Sequence, residues 1–258
     1  MAVPALSVVV PTLNEERCIE QFLDRVMRFL ESGGRPWEIV VVDDGSTDAT
    51  VALVERRMAA DTRIRLLIQA HRGKGAAVRR GMLGAQGAWR LMTDADLSVA
   101  PDEWPAFLDA AWTTDAEVIV GSREAPGSRR IGEPMRRHLI GRIFNWLVRL
   151  FVLPGIQDTQ CGFKLVRADV AREVFERITT DGFAFDVEML FLARRAGFQI
   201  REVGIVWVCR TDSRVSVTRG AAAFADVLRI RLNAWRSIYD AAARHRTVAA
   251  TRDKDAAS

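Results

Sequence analysis

Through the first half of the chain, short uninterrupted apolar runs alternate with segments whose apolar positions recur at helical spacing. Leu6–Val10 and Glu38–Val42 are two such runs, and between them Ile19, Phe22, Leu23, Val26, Phe29 and Leu30 mark one helix face, giving a strand–helix–strand unit. Strands without polar alternation suit a parallel sheet covered on both sides. Arg65–Gln69, Trp89–Thr93 and Glu117–Gly121 predict further strands, and Gly75–Ala85 a helix. The expected fold is α/β: an open, mostly parallel, doubly wound sheet with helices on both faces. Ligands of such sheets bind outside the carboxyl ends of the strands.

The second half is less regular. It reads as an Arg-rich loop over 123–137, an apolar helix over about 139–153, a Gly-containing segment at 158–166, and helices near 168–178 and 184–196. In the 139–153 helix, Arg142, Asn145 and Arg149 form one narrow stripe with apolar residues elsewhere. That pattern suits a helix lying in a bilayer interface, and also a buried core helix. A last helix near Ala221–Tyr239 puts Phe224, Leu228, Trp235 and Ile238 on one face, with Arg229 and Arg236 elsewhere. Residues 244–258, RHRTVAATRDKDAAS, read as a disordered tail, and no linker divides residues 1–243 into independent domains.

Composition narrows the class. The 258 residues are 49% hydrophobic and 27% charged, the profile of a globular protein. Three widely spaced cysteines, Cys18, Cys161 and Cys209, give no disulfide framework or CxxC site and imply a reducing compartment. No run reaches the roughly 18 apolar residues of a spanning helix, and no basic region precedes the apolar start, so the chain is expected to be neither exported nor integral. Charge is uneven: residues 1–125 carry 14 Lys/Arg against 19 Asp/Glu, and residues 126–258 carry 23 against 14. The C-terminal half should therefore seek anionic partners. Only 3 of the 37 basic residues are lysines, which singles out Lys74 and Lys164.

Polar groups follow the strands consistently: Pro11–Glu15, Asp43–Asp48 and Asp94–Asp96. In VVDDGSTD, Gly45 suits a turn and Ser46 or Thr47 a helix cap, while the adjacent carboxylates of Asp43 and Asp44 repel each other and suit a ligand offering N–H or hydroxyl donors. A nucleoside would do. In TDADLS, Asp94 and Asp96 have the spacing for a shared divalent cation, Mg2+ or Mn2+, held together with substrate phosphates. HRGKGAAVRRG is not a P-loop, but it places Lys74 between two glycines at a helix start, where a phosphate is favoured; Arg79 and Arg80 follow it.

VVVPTLNEE, VVDDGSTD, GKGAAVRRGM, TDADLS, GSR, DTQCGFKL and GFAFDVE, in this order, resemble glycosyltransferase family 2 of the GT-A fold over roughly residues 5–240. The last two motifs are similar to the polyprenyl-phosphate sugar synthases of the dolichyl-phosphate β-glucosyltransferase branch. The resemblance implies an inverting transfer of glucose from UDP-glucose to a dolichyl or undecaprenyl phosphate. It divides the domain into a nucleotide-sugar half, 1–125, and an acceptor and membrane-facing half, 126–243.

By that resemblance, Pro11, Asn14, Glu15 and Asp43 would hold the base and ribose, with Asp44 beside them in the nucleotide-sugar site by its own pattern, and Asp94 and Asp96 would hold the metal on the diphosphate. Lys164 and Asp158 would face the sugar and phosphates, joining Lys74 in the nucleotide-sugar site, and Arg214 and Ser216 would belong to a late loop that closes over the donor. Arg123, with Arg129, Arg130, Arg136 or Arg137, would receive the lipid phosphate. Asp186 and Glu188 lie where many members carry a general base, although a phosphate nucleophile is already anionic and needs positioning more than deprotonation. Many relatives also carry transmembrane helices after the catalytic domain. Without them, the expectation is a peripheral protein on the cytoplasmic membrane face, its acceptor reached at the membrane surface or delivered by a membrane protein partner.

The rival readings are a GDP-mannose-using synthase, a transferase with a soluble acceptor, and a nucleotide-binding scaffold without activity. Retention of both DAD aspartates, GSR and Lys164 argues against the scaffold. No GxGxxG follows the first strand, which disfavours a dinucleotide oxidoreductase. The aromatic residues of the basic half fall at helical spacing and not as a stacking surface, so no nucleic-acid partner is expected.

Overall fold

The structure is a computed structural model that describes residues 3–210 and 217–239. The apolar runs form β1 (Leu6–Thr12), β2 (Trp37–Asp43), β3 (Ile64–Ile68), β4 (Trp89–Met92) and β5 (Val118–Ser122). Helices α1 (Ile19–Ser32), α2 (Thr50–Ala60), α3 (Lys74–Gly84) and α4 (Trp104–Thr113) connect them. The second half adds β6 (Arg129–Ile131), α5 (Met135–Phe151), β7 (Lys164–Arg167), α6 (Ala168–Phe175), α7 (Phe185–Arg195), β8 (Ile200–Gly204), β9 (Val206–Val208) and α8 (Val217–Trp235).

Seven strands form one sheet in the order β3-β2-β1-β4-β7-β5-β8, and β6 pairs with β9 in a separate ribbon. Every pairing in the large sheet is parallel except those of β7, which runs antiparallel to both β4 and β5. The valine-rich strands feed two cores by alternation. Val8, Val10, Ile39 and Val41 pack with α1, α2 and α4, while Val9, Val40 and Val42 pack with α3, α6 and α7. Gly81 makes the close approach of α3 to the sheet possible, because a Cβ there would stand 2.4 Å from the Val9 side chain.

Three local expectations change. Residues 123–137 are not one loop: they include β6, paired with a strand some 75 positions on, and the start of α5 at Met135. The 158–166 segment ends in β7, a central strand. The last helix begins at Val217 and ends at Trp235, before the expected Tyr239. The tail at 244–258 lies outside the described residues. No helix among the described residues is long and apolar enough to cross a membrane.

Candidate active site

The loops after β1 and β2 are laced together. Asp43 is buried, and its Oδ2 accepts hydrogen bonds from the amides of Gly45 and Ser46 at 3.0 and 2.9 Å, closing an Asx turn. Asn14 has φ +55°, a left-handed conformation that asparagine tolerates. Its amide donates to Ser46 Oγ at 2.8 Å, and its Oδ1 accepts from Thr47 N at 2.7 Å. Glu15 N donates to Thr50 Oγ1 at 2.8 Å. Ser46 and Thr47 thus tie two loops together and do not cap α2; just before the helix, Asp48 accepts from Thr50 N at 3.0 Å. Pro11, Asn14, Glu15 and Asp43 all reach this edge.

Asp44 is turned to another task. Its Oδ1 accepts from Gln69 Nε2 and Arg72 N at 2.7 and 3.0 Å, and its Oδ2 from Gly73 N at 2.9 Å, with His71 Nδ1 2.7 Å away. The carboxylate therefore fixes the turn that delivers Lys74. From the other side, Gly75 N donates to the Asp181 carbonyl at 2.8 Å, and a Cβ on Gly73 would lie 2.5 Å from that same oxygen. Arg79 and Arg80 donate to the carbonyls of Phe175 and Ile68.

Lys74 Nζ lies 2.6 Å from Asp94 Oδ1. Burial works against its ammonium, yet the charges of Asp94, Asp186 and Asp96 outweigh it and hold the pKa above the ordinary lysine value. Ser98 N donates to Asp96 Oδ1 at 2.8 Å, and burial, with the adjacent Asp94 charge, raises the Asp96 pKa. Gly162 faces Asp94: a Cβ would stand 2.5 Å from Asp94 Oδ2. No group of three or more His, Cys, Asp or Glu side chains among the described residues could cage a metal unaided. Two hard carboxylates in a glycine-floored cradle fit Mg2+ or Mn2+ that completes its shell on a diphosphate and water.

On the other side of the site, the fully buried Lys164 donates to Asp186 Oδ1 and to the Cys161 carbonyl, each at 2.5 Å. Burial raises the Asp186 pKa against the opposing pull of Lys164 and Lys74. Glu188 points elsewhere: Thr179, Thr180 N and Tyr239 Oη donate to it. Arg123 Nε and Nη2 donate to the two oxygens of buried Asp158 at 2.7 and 2.9 Å, with the guanidinium 5.3 Å from the Trp207 ring centre. Burial alone would raise Asp158; the Arg123 charge and hydrogen bonds bring it down to about 2. Glu202 on β8 accepts from Gln157 N and Asp158 N, holding this loop from behind.

The remaining expected residues divide. Arg130 is held by Glu124 and Glu133, both at 2.6 Å, while Arg129 is exposed on β6. The side chains of Arg136 and Arg137, and the whole of Arg214 and Ser216, lie outside what the structure describes. Gly162, Asp181, Glu202 and Trp207 escaped sequence reading because their roles are contacts with distant loops; DTQCGF, once placed against TDAD, was the available signal for Gly162.

Helix α5 turns Asn145 and Val148 inward, with Phe144 packed against the core, and leaves Leu139, Ile143, Trp146, Leu150 and Phe151 about half exposed or more. Of the narrow stripe Arg142, Asn145 and Arg149, Asn145 is buried. On and just beyond α8, Leu228, Leu232, Trp235 and Ile238 are exposed.

The family model for glycosyl transferase family 2 matches residues 7–175. A dolichyl-phosphate beta-glucosyltransferase of Drosophila melanogaster is 35% identical over 252 residues, spanning 90% of this chain and 77% of that protein. The protein of the same name from Saccharomyces cerevisiae is 36% identical over 221 residues, spanning 78% and 66%. Glucosyl-3-phosphoglycerate synthase from Mycobacterium tuberculosis, solved with Mn2+, UDP and glucosyl-3-phosphoglycerate, superposes with TM-score 0.65 at 21% identity, covering 89% of this chain and 79% of that one. That last likeness is one of fold.

Proposed function

Because the chain belongs to glycosyltransferase family 2, we propose that it transfers glucose from UDP-glucose to a polyprenyl phosphate, with inversion, at the cytoplasmic face of a membrane. The observation that carries this reading is the meeting of Lys74, Asp94, Asp96, Lys164 and Asp186 in one charge cluster at the carboxyl edge of the sheet.

Pro11, Asn14, Glu15 and Asp43 line the edge where the uridine would sit, and Asp44 positions the Lys74 turn. Asp94 and Asp96 would hold Mg2+ or Mn2+, which supplies charge neutralisation of the UDP leaving group. Lys74 is placed to leave Asp94 for the same diphosphate. Asp186 holds the Lys164 ammonium in a fixed direction, where it offsets negative charge as the donor bond breaks. The acceptor oxygen is already anionic, so the acceptor side needs cations and alignment. Arg123 offers the Nη1 edge that it does not direct at Asp158, and Arg129, Arg136 and Arg137 are the further candidates for the acceptor phosphate. Arg130 is compensated by two glutamates and is the weakest candidate.

The acceptor is membrane-borne, and the exposed apolar positions of α5 and α8 suit a lipid surface. Helix α5 carries four arginines and no acidic residue, the charge expected of a helix resting on anionic headgroups.

The deciding experiment incubates the protein with UDP-glucose, other nucleotide sugars including GDP-mannose, Mg2+ or Mn2+, and a polyprenyl phosphate, and identifies the lipid product by mass. Hexosyl polyprenyl phosphate from UDP-glucose is expected. Product from GDP-mannose alone, or transfer only to soluble acceptors, would replace this reading, and UDP binding without any product would leave a scaffold.

A further inference from the structure

We infer that lipid docking of α5 and α8 is coupled to the site through buried polar side chains on their inner sides, so that a bilayer surface tightens the two loops that position Lys164 and Lys74. This rests on the peripheral-membrane reading above.

A helix that only covers a core turns apolar residues inward. Helix α5 instead buries Asn145, which is 6% exposed, directly beside Trp146, which is 55% exposed. The fully buried Thr159 donates its hydroxyl to Asn145 Oδ1 at 3.1 Å. Thr159 stands between Asp158, which holds Arg123, and Cys161, whose carbonyl receives Lys164.

Helix α8 and the residues just after it repeat the device on the other loop. Asn233 Nδ2 donates to Thr179 Oγ1 at 3.4 Å, and Tyr239, the single tyrosine of the chain, donates to Glu188 Oε1 at 2.7 Å. Glu188 also receives the amides of Thr179 and Thr180, and the next carbonyl, that of Asp181, receives Gly75 N beside Lys74. The two helices touch each other. Each outer apolar face therefore connects, through two or three hydrogen bonds and short runs of backbone, to one lysine of the site. Such bonds weaken steeply with displacement and are unfavourable to leave unmade, so a shift of either helix passes to its loop.

The test uses the full chain with vesicles of phosphatidylcholine and phosphatidylglycerol that contain no polyprenyl phosphate, and follows amide hydrogen exchange. Vesicle binding should slow exchange of residues 158–164 and 179–182 by about tenfold, the effect of one buried hydrogen bond becoming persistent. Thr159→Val should abolish that response at 158–164 only, and Tyr239→Phe at 179–182 only, with vesicle binding retained and Thr159→Ser restoring the first response. Unchanged exchange in the vesicle-bound wild type, no vesicle binding at all, or variants that still respond would overturn the coupling. Should Thr159→Val unfold, the Tyr239→Phe arm decides alone. Failure of glucosyl transfer would show in the product assay and leaves these exchange readings independent.

Discussion

Lys74 Nζ rests on Asp94 Oδ1 at 2.6 Å, so the carboxylate pair suited to a divalent cation is already neutralised in part by a side chain of the protein. On the proposed reading, Asp94 and Asp96 would hold the divalent cation only once Lys74 has left Asp94, and the donor diphosphate would offer that ammonium its new partner. Lys74→Ala should therefore act with opposite signs on the two ligands. Mn2+ alone should bind more tightly by titration, while UDP with Mn2+ should bind about tenfold or more weakly, the worth of one charge-assisted contact. Parallel losses for both ligands would count against this exchange.

Turnover should stop with EDTA and return with Mg2+ or Mn2+. Asp96→Ala should lower kcat by on the order of a thousandfold, several kcal/mol of leaving-group stabilisation. An Asp96→Ala variant with ordinary turnover in EDTA would remove the metal from the scheme.

Gly162→Ala should damage the metal site without unfolding the chain, because its Cβ would press within 2.5 Å of Asp94 Oδ2. Mn2+ and UDP affinity are expected to fall together while the melting temperature moves by a few degrees. Unaltered Mn2+ binding would show that Asp94 has room to move.

The Arg123–Asp158 pair predicts acid sensitivity. Asp158 has a folded pKa of about 2 against an ordinary 3.8, so its stabilising contribution is complete above about pH 4 and is lost as pH falls towards 2. That loss amounts to about 2 kcal/mol, visible in denaturant melts across this window. Asp158→Asn should flatten the dependence there and cost about 3 kcal/mol at neutral pH, since it leaves a largely buried guanidinium without its counter-charge. Identical acid profiles for the two proteins would place the acid lability elsewhere.

Helix α5 separates lipid contact from core by position. Trp146→Asp and Leu150→Asp should stay folded and lose binding to anionic vesicles, whereas Val148→Asp, at a fully buried position, should unfold the domain. Binding of the wild type should weaken with salt and not vanish, because screening removes only its electrostatic part.

The donor half was legible because its signals are local. Valine runs, helical periodicity and the acidic clusters after β1, β2 and β4 each lie within a few residues, and the sheet places them at one edge. Strand β7 escaped because KLVR is too short to carry a period, and its place between β4 and β5 is set by partners some 45 to 75 positions away. Asp44 and Glu188 were legible as carboxylates but not as to their direction. In the neighbouring pairs, Asp43 with Asp44 and Asp186 with Glu188, the two members face different partners, and only the packed loops determine which.

The reversed direction of β7 has one more consequence. Since Val120 of β5 lies beside Lys164 of β7, the stretch from 123 to 163 leaves the sheet and returns to it at adjacent points on the same edge. It behaves as a closed cassette hung from two neighbouring strands, with α5 inside it. Lengthening or shortening the part of it outside β6 and residues 157–163 would therefore leave the order of the seven strands untouched.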